Sequence, residues 1–371
     1  MKSDNNLEIF LVATPGLEDV LRAEAVEKGF RKPTPVVGGV TIRGNWTDVW
    51  RANLEIRGAS RVLVRIDAFR AQHLSQLDKR ARQFAWGDIL RPDVPIRVEA
   101  TCKNSRIYHS GAAAQRIEQA IHDVLGAPIS REGDVSIKAR IEDNMCTISI
   151  DTSGATLHKR DHKEAVSKAP MRETLASLFL RQCGYKGNEP VVDPMCGSGT
   201  FVIEAAEIAA GLYPGRTRHF AFEHLVNFDE TVWRDLRARP GRPMPDVHFF
   251  GYDRDAGAIR MSRANAERAG VAHLVEFAQQ PVSELTPPDG PPGLVIVNPP
   301  YGSRIGNMKN LYPLYSALGQ TLKERFSGWR VGLVTNADSL AKQTKLPFTQ
   351  QTPPVSHGGI SIKMYATQPL K

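Results

Sequence analysis

The chain is poor in cysteine and has no long apolar run. Its four cysteines, Cys102, Cys146, Cys183 and Cys196, stand far apart and form no C-x-x-C pair. Neither a disulfide framework nor a zinc site is expected, and the thiols should be reduced. No stretch of about 18 uncharged apolar residues is available to span a bilayer, and the opening residues Met1 to Asn6 carry no apolar signal core. A cytoplasmic protein with no membrane partner is the expectation. Internal repeats are missing as well, and the Pro-rich stretch 286–292 is short enough to be a loop. Acidic charge is outnumbered: 48 Lys and Arg against 40 Asp and Glu give a formal charge of +8 and a pI near 9.3, which favours a polyanionic partner. What is present is a hydrophobic fraction of 41% in 371 residues, enough for two or three domains with cores of their own.

Apolar periodicity divides the chain into two halves. Residues 7–12 read as a strand and 16–28 as a helix with Leu17, Val20, Leu21 and Val26 on its apolar face, followed by strands at 36–42 and 62–69. This β-α-β-β opening indicates a small α+β domain. A strand at 96–101, a helix at 111–125 and strands at 134–139 and 145–151 come next. The loop from Cys102 to Ser110 mixes Lys103 and Arg106 with polar residues and Tyr108, a composition suited to a phosphate backbone. Residues 156–172 carry five Lys or Arg against two Asp or Glu and read as a basic linker. Beyond it a helix starts near Pro170. Strands at 190–192, 247–252, 274–277, 294–297 and 330–334 then alternate with helices at 201–210, 255–269 and 311–326, before a β pair around 355–366. Short apolar strands in β-α repeats predict a mostly parallel, doubly wound α/β sheet.

Two motifs sit at strand ends in this second half. Val191-Val192-Asp193 closes a strand, and Gly197-Ser198-Gly199-Thr200 opens a helix, so a carboxylate and bare backbone meet at the ligand-binding edge of the sheet. A G-x-G alone also suits a dinucleotide, but the third glycine of that fingerprint is replaced by Val202. The preceding Asp193-Pro194-Met195-Cys196 favours S-adenosylmethionine, whose cationic sulfonium and amino acid ends need a carboxylate and backbone donors. Asp253, at the end of Phe249-Phe250-Gly251-Tyr252-Asp253, is placed to bind ribose hydroxyls or to cap the next helix.

The second motif, Asn298-Pro299-Pro300-Tyr301, follows the buried run Leu294-Val295-Ile296-Val297. Two prolines stiffen the chain and remove backbone donors, so the Asn298 side-chain oxygen and the Pro299 carbonyl are left to accept from one amino group. The lone pair of an amine on a base or amide is delocalised. Two acceptors fix its N–H bonds, aim the lone pair and stabilise positive charge developing on nitrogen. Tyr301 offers a face for a flat substrate. Cys196 reads as a small packed side chain rather than a nucleophile, and no metal ligand set is expected.

These motifs resemble the class I methyltransferases that act on amino groups, most closely the bacterial 23S rRNA guanine-N2 methyltransferase family. The resemblance rests on Asp193 to Thr200 with Ile203-Glu204-Ala205-Ala206, on Pro214-Gly215, Phe220-Ala221-Phe222-Glu223, Asn227-Phe228-Asp229 and Trp233, on Asn265-Ala266 and Ala269-Gly270, and on Asn298 to Gly302 with Arg304. It implies a doubly wound Rossmann-like class I methyltransferase domain (171–371) preceded by a ferredoxin-like domain (1–62), a THUMP RNA-binding domain (63–155) and the basic linker (156–170). It also implies S-adenosylmethionine as cofactor, held by Asp193, Pro194, Met195, Cys196, Gly197, Ser198, Gly199, Thr200, Asp253, Gln280 and Asn298. Asn298, Pro299, Pro300 and Tyr301 form the implied catalytic set. The implied partner is structured RNA, ribosomal RNA first, with Lys103, Arg106, Lys159 and Arg160 as candidate contacts; the same chemistry on tRNA and a non-catalytic RNA-binding role are the alternatives. Two departures stand out. Phe277-Ala278-Gln279-Gln280-Pro281-Val282 puts Pro281 where relatives carry an acidic adenine-binding residue, and His357-Gly358-Gly359 replaces a common Asn-Gly pair.

Overall fold

Short apolar runs bounded by turn residues become strands almost throughout the chain. The computed structural model describes residues 6–161, 171–238, 243, 246–301 and 308–371. They form two compact units: Met1–Ala13, Arg22–Leu157 and Arg218–Arg239 in one, Thr14–Leu21, His158–Thr217 and Pro240–Lys371 in the other. No helix among the described residues is long and apolar enough to cross a membrane.

The N-terminal elements are β1 (Leu7–Val12), α1 (Glu18–Glu27), β2 (Arg31–Val36), β3 (Gly39–Gly44), α2 (Trp46–Glu55) and β4 (Arg61–Arg70), all in the first unit but the start of α1. Antiparallel order β4-β1-β3-β2 makes this a complete ferredoxin-like β-α-β-β-α-β motif. The strand expected at 36–42 is β3, which begins at Gly39; Val37-Gly38 is the turn that joins it to β2, a strand the apolar pattern did not announce. Val26, expected on the buried face of α1, is 53% exposed, and Ala25 takes the buried place beside Leu21. Helix α2 is started by a capping box in which Asn45 accepts from the Asp48 N–H and Asp48 from the Asn45 N–H, both at 3.0 Å.

The same sheet continues through α3 (Leu74–Gln83), β5 (Ile96–Lys103), α4 (Ser110–Leu125), β6 (Val135–Glu142) and β7 (Met145–Asp151), giving the seven-stranded order β2-β3-β1-β4-β7-β6-β5. The boundary expected between residues 62 and 63 falls inside β4, which pairs with β1 on one side and β7 on the other.

The second unit begins, among described residues, with α5 (Glu173–Gln182); the helix start expected near Pro170 lies outside them. β8 (Val191–Asp193) and α6 (Thr200–Ala209) follow. Helix α7 (Glu230–Arg237) then belongs to the first unit. There Phe222 stacks on Trp50 at 6.0 Å and meets Trp233 edge-on at 5.0 Å, while the Arg218 guanidinium donates to the carbonyls of Ala155 (2.7 Å) and Thr156 (3.1 Å). This stretch follows the first strand and helix of the expected methyltransferase domain, and its Phe222 and Phe228 pack on Trp50 of α2.

The chain goes on with β9 (Phe249–Asp253), α8 (Ala256–Ala269), β10 (Val275–Gln279), β11 (Leu294–Val297), α9 (Tyr312–Arg325), β12 (Arg330–Thr335), α10 (Asp338–Gln343), β13 (Phe348–Gln351), β14 (Val355–His357) and β15 (Ile360–Thr367). The main path runs β10-β9-β8-β11-β12-β15-β13, parallel from β10 to β12, with β15 antiparallel and β14 paired to it. Strand order reverses between β8 and β11, so this doubly wound sheet has its switch point where both motifs end.

Candidate active site

Asp193, Asp253 and Asn298 stand at the carboxyl ends of the adjacent parallel strands β8, β9 and β11. Asp193 is 2% exposed and accepts from the Met195 N–H at 3.0 Å, which turns the chain out of β8. Burial pushes its carboxyl up to about 8, opposed by that N–H and reinforced by the nearby Asp253 charge.

The loop that follows is held on every side. The Cys196 N–H donates to the Tyr252 carbonyl (2.8 Å), and the Gly197 N–H donates to Asp253 Oδ2 (3.0 Å). The other Asp253 oxygen accepts from the Asp255 N–H at 3.0 Å. From α8, the Ser262 hydroxyl donates to the Gly197 carbonyl (2.8 Å) and the Asn265 amide to the Ser198 carbonyl (3.0 Å). Gly199 takes φ +83°, and a Cβ there would lie 3.1 Å from Ile203 and Phe277. At Gly251 a Cβ would lie 2.5 Å from the Phe277 ring, so the ring slides under the loop only because that position is bare.

Sequence reasoning gave Ser262 and Phe277 no part in this. A signal existed: on α8 the buried face Ala258, Ile259, Ser262, Asn265, Ala266 and Ala269 carries two polar residues three apart, which need partners beneath the helix. Cys196 is buried with Sγ 3.7 Å from Ser262 Oγ, and burial raises its thiol well above the ordinary value, as befits a packing residue.

At the second motif, Asn298 Oδ1 is buried and has no hydrogen-bond partner among the described residues. Burial pushes the Tyr301 hydroxyl up to about 12, and a side-chain hydrogen bond with Asn298 opposes the shift. The Asn298 oxygen is thus left as an acceptor for a ligand donor. Tyr301 is partly buried against the core formed by β11, β12 and α9. The Tyr315 hydroxyl donates to the Pro300 carbonyl at 3.2 Å and braces the turn from below. Gly302 and Arg304 lie outside the described residues.

The remaining expected residues divide. Gln280 is partly buried; its N–H donates to the Asp253 carbonyl (3.0 Å) and its side-chain amide to the Glu284 carbonyl (2.6 Å), so it stands beside the ribose-binding candidate. Lys103 is exposed and pairs with Glu142 at 3.1 Å; Arg106 is exposed and donates to Gln72 at 2.9 Å; Lys159 is exposed. Arg160 departs from expectation. It is 2% exposed and pairs with the equally buried Glu204 at 3.4 Å, so it holds α6 rather than facing a phosphate. Lys163 and Lys168 of the basic stretch lie outside the described residues, and no group of metal-binding side chains occurs among the described ones.

Known proteins share this arrangement. A family model described as "RMKL-like, methyltransferase domain" matches residues 160–365, more than half of the chain. The chain belongs to that family. A second model, "RlmL ferredoxin-like domain", matches residues 8–63. The "Ribosomal RNA large subunit methyltransferase K/L" of Vibrio campbellii is 32% identical over 355 residues, covering 92% of this chain and 50% of the relative, and that of Vibrio parahaemolyticus is 33% identical over the same length. The chain thus spans about half the length of the curated relatives it matches.

Among solved structures, a "possible methylase" from Clostridium difficile superposes with a TM-score of 0.90 at 27% identity, covering 99% of each chain. A "predicted N6-adenine-specific DNA methylase" from Listeria monocytogenes gives 0.89 at 26% identity, covering 98% of this chain and 96% of the other. The fold is that of the class I methyltransferases.

Proposed function

We propose that the chain is an S-adenosylmethionine-dependent RNA methyltransferase that modifies the exocyclic N2 amine of a guanine in 23S rRNA. The observation that carries this reading is the buried, unpartnered Asn298 Oδ1 at the switch point, beside a carboxylate-bearing glycine loop. A buried acceptor without a donor costs about 1–3 kcal/mol, so a substrate N–H is the natural partner. The names of the Vibrio relatives support ribosomal RNA. Residues 63–155, read as a THUMP domain, would hold structured RNA through the exposed Lys103 and Arg106, with Tyr108, 83% exposed, as a stacking surface.

The residues present fit the cofactor: Asp193 to Thr200 would hold its methionine end, Asp253 its ribose and Gln280 the rim of the adenine site. When bound it supplies an electrophilic methyl group. Asn298 Oδ1 and the Pro299 carbonyl accept the two N–H bonds of the amine, which turns the nitrogen lone pair toward that methyl group and stabilises the cationic nitrogen. Tyr301 covers the base plane.

Cofactor binding is expected to depend on pH. With its carboxyl up near 8, Asp193 is mostly protonated in the free protein at neutral pH. A cation beside it favours the carboxylate, so binding expels a proton, and affinity should rise up to ~tenfold per unit from pH about 6 to about 8 and then level off. The unliganded protein is expected to show the opposite trend: an acid whose folded pKa exceeds its unfolded value of about 3.9 loses stability as pH climbs from about 4 to about 8. Calorimetry in two buffers of different ionisation enthalpy reads the proton; a flat affinity with no buffer dependence would place the cation away from Asp193.

Asp253→Ala should weaken the cofactor about 10- to 100-fold, because it removes a charged acceptor and frees the Gly197 N–H. An unchanged dissociation constant would assign Asp253 to capping alone. The function itself is tested by incubating the protein with labelled cofactor and separate pools of unmodified 23S rRNA and tRNA. Label in 23S rRNA is expected. Label confined to tRNA would move the same chemistry to another RNA, and no binding heat with S-adenosylmethionine would leave a non-catalytic RNA-binding factor.

A further inference from the structure

A second buried acceptor stands at the same sheet edge. Asn336 follows the last residue of β12 as Asn298 follows that of β11, and the two strands are parallel neighbours in the register Val297↔Leu333. Asn336 Oδ1 is buried and, like Asn298 Oδ1, has no hydrogen-bond partner among the described residues. Tyr315 ties the two strand ends together: its hydroxyl donates to the Pro300 carbonyl at 3.2 Å and meets the Thr335 hydroxyl at 3.3 Å. Nearby polar groups are engaged elsewhere. Asp338 accepts from Lys363 Nζ (3.0 Å) and from the Tyr365 hydroxyl (2.6 Å), and the Ala337 N–H reaches Thr335 Oγ1 at 3.4 Å. Two orphan amide oxygens at adjacent strand ends, Asn336 two residues beyond the register partner of Asn298, suit a ligand edge that carries two donors.

Guanine has such an edge: its ring N1–H lies next to its 2-amino group. Adenine offers one amine beside an acceptor nitrogen, which would face an acceptor here. We infer that Asn336 is a specificity-determining residue that accepts the N1–H of the target guanine while Asn298 orients its 2-amine. This assignment rests on the guanine reading above and adds to it the reason that adenine is refused.

The test uses 2-aminopurine, which keeps the 2-amino group and lacks both the N1 hydrogen and the 6-oxygen, so the change in preference on replacing Asn336, not the wild-type preference alone, reads the N1–H. The methylated position is first mapped by mass spectrometry in an unmodified 23S rRNA transcript, and guanosine or 2-aminopurine riboside is then ligated into that transcript there. The wild type should prefer guanosine about 100-fold in kcat/KM, since a site built for a donor rejects the analogue that lacks it. Asn336→Ala should slow guanosine and bring the preference to within about threefold, with cofactor affinity unchanged. Asn336→Asp, which keeps the acceptor, should restore the preference. If Asn336→Ala lowers both rates equally or leaves the ratio at the wild-type value, the side chain is structural and this assignment fails while guanine methylation stands. If the wild type methylates no guanine, the functional reading fails and the assignment with it.

Discussion

Asn298→Ala is expected to slow methyl transfer by about 10²–10³-fold or more in single-turnover assays, equivalent to about 3–4 kcal/mol of lost transition-state stabilisation. Cofactor affinity should stay within about twofold of wild type. The split follows from the geometry. Asn298 Oδ1 has no partner among the described residues, so losing that oxygen breaks no hydrogen bond there. The glycine loop is held separately by Asp253, Ser262 and Asn265. The Asn298 side chain also meets Tyr301, which packs against the β11–β12–α9 core. A single-turnover rate within threefold of wild type would mean that Asn298 does not orient the amine. An equal loss of cofactor affinity would mean that it shapes the cofactor pocket instead.

The second large effect concerns stability. Glu204→Ala is expected to destabilise the methyltransferase unit by roughly 3–5 kcal/mol, because it removes a buried carboxylate from the buried Arg160 guanidinium. At a few degrees per kcal/mol, the thermal midpoint should fall by roughly 10 °C. Replacing both members, Glu204→Leu with Arg160→Met, should recover most of the loss, since apolar packing substitutes well for a buried pair. A shift below about 1 kcal/mol for Glu204→Ala would show that water or a neighbour takes over the charge. The same helix buries Glu207 against Arg216 at 2.5 Å, and Arg216 also donates to the Ala269 carbonyl at 2.6 Å. Both carboxylates on α6 are thus matched by arginines.

Arg160 shows where sequence reading stopped. Its neighbours 156–172 are rich in Lys and Arg, and charge density alone suggests a solvated linker; the buried partner lies 44 positions away on a mostly apolar helix. Phe220, Phe222 and Trp233 failed to announce their place for a similar reason. They follow the glycine-loop helix in sequence, yet Phe222 stacks on Trp50 and the other two pack around Phe222, all within the first unit. Helix α3 was missed because only Leu77 and Ala81 of its ten residues are buried, too few to set a period. The strands and turns of the site were legible, since β11 is a four-residue wholly buried run bounded by Gly293 and Pro299, and β8 ends directly in an Asp-Pro and two glycines. Motif residues announce themselves through backbone chemistry. Asn336, which stands in no motif, becomes visible only when an unpartnered oxygen is found beside another.

The account turns on where the methyl group lands. Wild-type protein should be incubated with unmodified 23S rRNA transcript and S-adenosylmethionine carrying a deuterated methyl group, and the RNA digested to nucleosides for mass spectrometry. The label is expected in N2-methylguanosine. Label in N6-methyladenosine would keep the chemistry assigned to Asn298 and contradict the choice of guanine; label in a C-methylated base would contradict the amine-orienting role of Asn298 itself.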